Sequence, residues 1–388
     1  MSVSKTNLFY NPTFRAVIFQ LIAVALIGLA AYTLITNVLD NLAQRGIATG
    51  LDFLHQEAGF GIGLTLIEYD ETHTYGRTFF VGLLNTALVS VLGILLATVI
   101  GFVIGIARLS SNWLVSRFAA VYIETFRNIP LLLQIFFWYF AVLQALPSPR
   151  NSLSLGEGIL LNVRGLYLAK PVFESGAVWI GLATGVALAG SLIFAFYAKR
   201  QQRLTGKQYP ILTMTLGLMI GLPLISFFLS GQPVHLEYPM FKGFNFQGGV
   251  AILPELAALL LALSIYTASF IAEIVRSGIN AVSHGQTEAS LALGLSARHT
   301  LRLVVIPQAL RIIIPPLTSQ YLNLTKNSSL AMAIGYPDLV SVFAGTTLNQ
   351  TGQAIEIIAM TMAVYLTLSL LTSLLMNIYN KKVALVER

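Results

Sequence analysis

The sequence predicts an all-α integral membrane protein of about eight transmembrane helices, and three observations carry that expectation. The 388 residues are 56% hydrophobic and only 10% charged, whereas a soluble domain carries about 25% charged residues. The apolar residues gather into segments of twenty or so, long enough to cross a hydrocarbon core of roughly 30 Å as a helix. Within those segments the apolar run is continuous rather than alternating, which argues against the strands of a membrane barrel.

In chain order the segments are 16–38, 79–107, 128–146, 176–198, 210–230, 253–275 and 354–379. An eighth, 312–336, is interrupted by Lys326-Asn327-Ser328-Ser329. The first runs from beyond Arg15 to Val38 with no small-residue cleavage site, so it reads as a spanning helix rather than a secretory signal. Eight spans put both termini on one side. Lys5 and Arg15, Arg108 and Arg117, Lys199, Arg200, Arg203 and Lys207, Arg276, Arg298, Arg302 and Arg311, and Lys381, Lys382 and Arg388 all fall on that side. An excess of Lys and Arg marks the cytoplasmic face. The opposite loops hold most of the carboxylates: Asp40, Asp52, Glu57, Glu68, Asp70, Glu71, Glu157, Glu174, Glu237 and Asp338.

Two outward loops are long. Residues 39–78 include Leu51-Asp52-Phe53-Leu54 and are apolar enough to lie on the membrane or pack on the bundle; residues 147–175 open with Pro147-Ser148-Pro149-Arg150, a helix stop. No repeat stands out, and 1–388 reads as a single membrane domain.

Several chemistries drop out. The net charge of +7 is distributed as membrane topology requires, so it does not point to nucleic acid. No cysteine is present, which removes disulfides and thiolate sites. His55, His73, His235, His284 and His299 are scattered at no metal-ligand spacing. There is no G-x-x-x-x-G-K-[ST] phosphate loop and no G-x-S-x-G or H-E-x-x-H pattern, so the chain is expected to be non-catalytic and to hold neither metal nor cofactor.

One polar stretch stands apart: Gly285-Gln286-Thr287-Glu288-Ala289-Ser290-Leu291-Ala292-Leu293-Gly294-Leu295-Ser296. Residues 286–293 are good helix formers bounded by two glycines. Ala289, Leu293 and Ser296 share one face, a small apolar ridge suited to a partner's groove. The chain then returns to the membrane at Pro307.

Glu288-Ala289-Ser290, three residues, Gly294, nine residues and Val304-Val305-Ile306-Pro307 resemble the EAA loop of importer-type ABC permeases, with Ser290 for the second alanine and Ile306 for leucine. Tyr266–Ala289, Pro307–Leu330, Gly82–Gly93 and Tyr122–Phe140 are similar to the polar amino-acid uptake branch of that family, in its longer, broad-specificity form. The resemblance implies a five-helix type I importer core (79–107, 118–146, 253–275, 312–336 and 354–379), with an N-terminal helix and an inserted pair at 176–230. It implies a bacterial inner-membrane subunit with periplasmic loops at 39–78 and 147–175 and a cytoplasmic coupling loop at 277–311. Its partners would be a second, related permease subunit, an ATP-binding subunit dimer that holds ATP and Mg, and a periplasmic amino-acid-binding protein. Gly285, Glu288, Ala289, Ser290, Gly294 and Pro307 would make the ATPase contact.

Charges near membrane depth are costly and draw attention to function. Glu124 and Arg127 are spaced to pair, or Arg127 faces a translocation path with Asn128 and Gln134 and binds a carboxylate. Lys326, with Asn327 and Ser328, either snorkels or lines a cavity at a helix break. Glu273 and Arg276 form a second i,i+3 pair, structural or gating. An ion-coupled secondary transporter working without an ATPase would account for Lys326 and Arg127 but not for the spacing of the polar loop.

Overall fold

The computed structural model describes residues 12–383 except Arg45, Ile47, Ala48, Glu157 and Phe244. Lys5, Glu157 and Arg388, used above to orient the chain, lie outside the described residues. The helices are α1 (Pro12–Gln44), α2 (Tyr75–Arg108), α3 (Trp113–Asn128), α4 (Leu131–Phe136), α5 (Ala177–Thr205), α6 (Ile211–Leu229), α7 (Pro254–Asn280), α8 (His284–Ala292), α9 (Ala297–Thr300), α10 (Ile306–Asn327), α11 (Leu348–Thr351) and α12 (Ala354–Val383). Among the described residues seven helical runs are long and apolar enough to cross a membrane, and eight if the bent pair 113–128 and 131–143 forms one span. The chain packs as two compact units, Met1–Ile123 with Thr267–Arg388, and Glu124–Tyr266.

In the first unit α2 is the central helix, and its small residues set how closely its neighbours approach. A Cβ on Gly101 would sit 2.6 Å from Cβ of Ile271, one on Gly105 2.8 Å from Cβ of Val275, and one on Gly82 2.9 Å from Cα of Leu339. Gly101 and Gly105 are four apart, so they share a stripe that lets the α7 backbone nest against α2. Apolar lipid gives helices no hydrophobic reason to associate, and such close backbone contact replaces it. By contrast, the α1 span Phe14–Val38 is exposed along its length.

Polar groups on α2 pin the segment between α10 and α12. The Asn85 amide donates to the carbonyls of Leu64 and Pro337, both at 2.8 Å. The Leu339 N–H donates to Thr86 Oγ1 at 3.0 Å, and the Tyr336 hydroxyl to the Asn85 carbonyl at 3.1 Å. Asp338, expected in an outward loop, is fully buried. Its Oδ1 accepts the Ser341 N–H at 2.8 Å and its Oδ2 the Tyr365 hydroxyl at 3.3 Å. The reason is that residues 340–347 fold back as a π-helical turn against α2 and α12, so the loop is part of the bundle.

The long segment before α2 packs on this unit rather than lying free. Phe53, Ala58 and Tyr75 join Leu339, Phe343 and Ile357 in one apolar cluster, and the Gly50 N–H donates to Glu356 Oε1 at 2.8 Å. A tight turn closes the segment. Hydrogen bonds from the Thr72 hydroxyl and N–H, then from His73, hold the Asp70 carboxyl down to about 2.

The second unit departs from expectation in two places. The third predicted span, 128–146, is not one helix: the chain breaks at Ile129-Pro130, turns by 107°, and continues as α4 and a π-helical turn, Phe137–Leu143. Proline removes a backbone donor and disfavours helix in the residue before it, so Pro130 ends α3. Secondly, the connections around the inserted helix pair are β structure. Strands β1 (Leu153–Ser154), β2 (Ile159–Asn162), β3 (Gly165–Leu168) and β8 (Val250–Ile252) form an antiparallel sheet in that order. Strand β4 (Lys170–Phe173) pairs with β5 (Val234–Glu237), and β6 (Met240–Lys242) with β7 (Asn245–Gln247). Between them α5 and α6 form a helical hairpin.

Candidate functional site

The polar loop folds as a short helix held by its own ends. Helix α8 covers His284–Ala292, two residues earlier at its start than the sequence pattern suggests. Gly294 follows with φ +81°. The Leu295 N–H reaches the Ser290 carbonyl at 3.1 Å and the Gly294 N–H the Leu291 carbonyl at 2.9 Å. This is a Schellman ending, which needs a left-handed residue at the position Gly294 fills. A Cβ there would meet nothing within 4 Å, so within this chain the glycine answers a backbone demand rather than a packing one.

Ser290 is 4% exposed. Its hydroxyl donates to the Thr287 carbonyl at 2.8 Å and pairs with the Thr300 hydroxyl at 3.0 Å, fastening α8 to α9. The expectation grouped Ser290 with the partner-facing residues, but its side chain is inside the loop. An alanine could not make this bond, so the departure from the family pattern has a local partner in Thr300. Gly285, Glu288 and Ala289 are exposed, as are Leu291 at 48% and Leu293 at 84%. The Gln308 amide donates to Gln286 Oε1 at 3.3 Å just beyond Pro307, which enters the first turn of α10. At the other end of the loop Arg276 grips Glu273 through two nitrogens, Nε–Oε2 at 3.0 Å and Nη2–Oε1 at 2.5 Å. Gly278 next to them packs so closely that a Cβ would collide with Ile313.

The helix interruption at Lys326 is milder than the sequence implies. Helix α10 ends at Asn327 and the chain tightens into a 3₁₀ turn, Ser328–Ile334. Lys326 and Ser329 line a cavity of about 480 Å³ with Val340, Thr361, Tyr365 and Ser369. Ser328 is fully buried, donating to the Thr325 carbonyl at 2.8 Å, and neither it nor Asn327 lines that cavity. Tyr365 links the cavity to the buried Asp338 behind it.

At the α3 break, Arg127 and Asn128 are exposed, and the Asn128 amide turns back to the Glu124 carbonyl at 2.6 Å. Gln134 is 3% exposed, and its amide donates to the carbonyls of Phe126 and Ile129, both at 3.0 Å. It therefore satisfies carbonyls that the broken helix frees and does not face an open path. No group of His, Asp or Glu among the described residues could hold a metal ion.

A seven-to-eight-helix membrane chain that carries the spaced polar loop can be compared with known proteins on both counts. Residues 91–385 match the model of the family described as the binding-protein-dependent transport system inner membrane component. The chain belongs to this permease family. Its members are the non-catalytic membrane subunits of ABC transporters, served by a separate ATPase, so the chain is a multi-pass inner-membrane permease. It is 56% identical over 381 residues to the putative amino-acid ABC transporter permease YhdX of Escherichia coli K12, covering 98% of this chain and 97% of that one. It is 52% identical to the general L-amino acid permease AapQ of Rhizobium johnstonii, over 98% and 94% of the two chains. To BztB of Rhodobacter capsulatus, a glutamate/glutamine/aspartate/asparagine permease, it is 42% identical over 98% and 96%. These permeases match along almost their whole length, so the α5–α6 insertion and the strands around it fall inside the matched region.

Proposed function

We propose that the chain is the membrane-spanning subunit of an ATP-driven amino-acid uptake system. It pairs with a second, related permease subunit, receives amino acids from a periplasmic binding protein, and couples to an ATP-binding subunit dimer through α8. Both termini face the cytoplasm. The observation that carries the coupling is the exposed outer face of α8: Glu288, Ala289, Leu291 and Leu293 stand out while Ser290 and the Schellman ending fix the helix from behind. Small and apolar groups there fit a close-approaching groove, and Glu288 offers a charge to polar groups at its rim. ATP and Mg are held by the ATPase subunits.

Lys326 is the proposed contact for a substrate carboxylate in its cavity, where Ser329, Tyr365 and Ser369 add hydrogen-bonding groups. Arg127 and Asn128 are a second proposed contact at the α3 break, and Gln134 serves by holding the break in shape. Glu273–Arg276 steadies the start of the coupling loop.

The absence of cysteine makes a clean test. In the complex reconstituted with its ATPase, a single Ala289→Cys chain should cross-link to an ATPase subunit carrying an engineered cysteine. Glu288→Lys and Gly294→Trp should insert normally yet lose substrate-stimulated ATP hydrolysis. Normal transport by both variants would overturn the coupling assignment.

A further inference from the structure

The turn joining α5 to α6 carries a charge density that helps orient the chain but has no part in the transport steps proposed above. Lys199, Arg200 and Arg203 lie on the last turns of α5, and Lys207 follows the left-handed Gly206, φ +72°. All four are exposed. At 3.6 residues per turn the first three fall within an arc of about 100° on one face. Lys199 and Arg203 are an i,i+4 like-charge pair, which destabilises a helix by a few tenths of a kcal/mol unless something neutralises it. No carboxylate occurs between Glu174 and Glu237, and none of the ion pairs among the described residues involves these four cations.

From the geometry of this turn we infer that it is a binding site for the phosphate headgroup of an anionic phospholipid. Depth comes first. The uncharged part of α5, Ala177–Ala198, makes about 33 Å of helix, which matches the roughly 30 Å hydrocarbon core. Lys199 and the residues after it therefore emerge at headgroup level. The turn is also anchored there. Lys207 Nζ sits 5.4 Å from the centroid of the Tyr209 ring. Tyr209 in turn meets Phe194 at 6.3 Å and Tyr197 at 6.1 Å between ring centroids. The Gln201 amide donates to the Tyr197 hydroxyl at 3.3 Å. Tyrosine rings prefer the membrane interface, so this aromatic patch holds the cations at the lipid surface before any ligand arrives.

The apolar neighbours select lipid over a soluble anion. Leu204 is 70% and Leu212 74% exposed, on either side of the basic turn, and α6 has no buried residue. A lipid phosphate gripped by Arg200 and Arg203 would lay its acyl chains along these leucines. Guanidinium groups suit a phosphodiester because they donate in parallel pairs. The other end of the same hairpin has the opposite character: β4 and β5 bring Glu174 against His235, with Glu237 on the same strand.

The test uses the purified full chain in neutral detergent, titrated with phosphatidylglycerol or phosphatidylcholine and read by native mass spectrometry. The wild-type chain should retain phosphatidylglycerol at least about 25-fold better than phosphatidylcholine, roughly fivefold for each of the two arginines. Arg200→Gln with Arg203→Gln should cut that preference by roughly fivefold per charge, the effect of about 1 kcal/mol for each cation near an anionic surface. The charge-preserving Arg200→Lys/Arg203→Lys pair checks insertion and should keep most of the preference. Lys381→Gln, a cation at another helix end, should leave it unchanged. Equal retention of the two lipids, an undiminished preference in the Gln pair, or an equal loss in Lys381→Gln would overturn the site. Displacement of phosphatidylglycerol by 0.1 M inorganic phosphate, about physiological ionic strength, would overturn the choice of lipid and leave a soluble-anion site instead.

Discussion

Replacing Gly294 by alanine separates two reasons for a glycine at the end of α8. The residue sits at φ +81° and its missing Cβ would point into open space, so alanine meets no atom of this chain. The cost is then conformational, about 1–2 kcal/mol for a left-handed residue that is not glycine. That sum is large for α8. Nine residues are too few for a helix to persist in water by itself, and this one depends on the Schellman bonds and on Ser290–Thr300. A loss of 1–2 kcal/mol should raise the open population of the loop by roughly 5- to 30-fold. Hydrogen exchange of the purified chain reads this directly: the amides of Leu293, Gly294 and Leu295 should exchange faster by that factor in Gly294→Ala. Gly294→Asn should exchange less quickly, since asparagine tolerates the left-handed region. In the reconstituted transporter, Ala and Asn should follow the same order in substrate-stimulated ATP hydrolysis. Unchanged exchange in Gly294→Ala would refute the backbone argument. If Asn and Ala impair coupling equally despite different exchange, clearance for the partner is the stronger demand.

Other outcomes follow from the same packing. Gly101→Ala places a Cβ 2.6 Å from Ile271 and should cost about 1–3 kcal/mol by overpacking, lowering the unfolding temperature in detergent; Ile271→Ala in the same chain should recover part of it. Lys326→Ala should raise the half-saturating concentration for uptake about 10- to 100-fold, the loss of one charge-assisted hydrogen bond, and an unchanged value for acidic, neutral and basic amino acids alike would remove Lys326 from the substrate path. Asp338→Ala leaves the Ser341 N–H and the Tyr365 hydroxyl without their acceptor and should destabilise by about 1–3 kcal/mol, seen as an earlier thermal transition; Asp338→Asn, which keeps an acceptor oxygen, should lose less.

Much of the architecture is legible in the sequence because a bilayer leaves few alternatives. Runs such as 79–107 and 354–379 must be helices, since only helices satisfy every backbone group within one segment. The family is legible because the spacing of the polar loop is long and specific. What escapes is local. Strands of two to four residues such as Leu153–Ser154 and Met240–Lys242 carry no period that could be told from a turn. Pro130 is in plain view, but whether the helix before it kinks or stops depends on Gln134 capping the freed carbonyls, a contact made in space. Asp338 reads as an outward-loop residue because it follows a span, and only the return of residues 340–347 against α2 buries it. The Gly101–Gly105 spacing was available in the sequence as a close-packing signal, whereas the pairing of Ser290 with Thr300 was not, because ten residues and a change of helix separate them.

The register between β3 and β8 has a consequence for how such a chain can be lengthened. Leu168 and Val250 are direct partners across that ladder, so the chain leaves the sheet and comes back to it at neighbouring positions. Everything between them, the α5–α6 hairpin with strands β4 to β7, is a closed excursion whose ends already lie a strand's spacing apart. A two-residue hairpin turn has the reach to join Leu168 to Val250. The insertion is thus separable at this ladder, and a short splice there would give a permease with its remaining spans in the original chain order and without the basic α5–α6 turn.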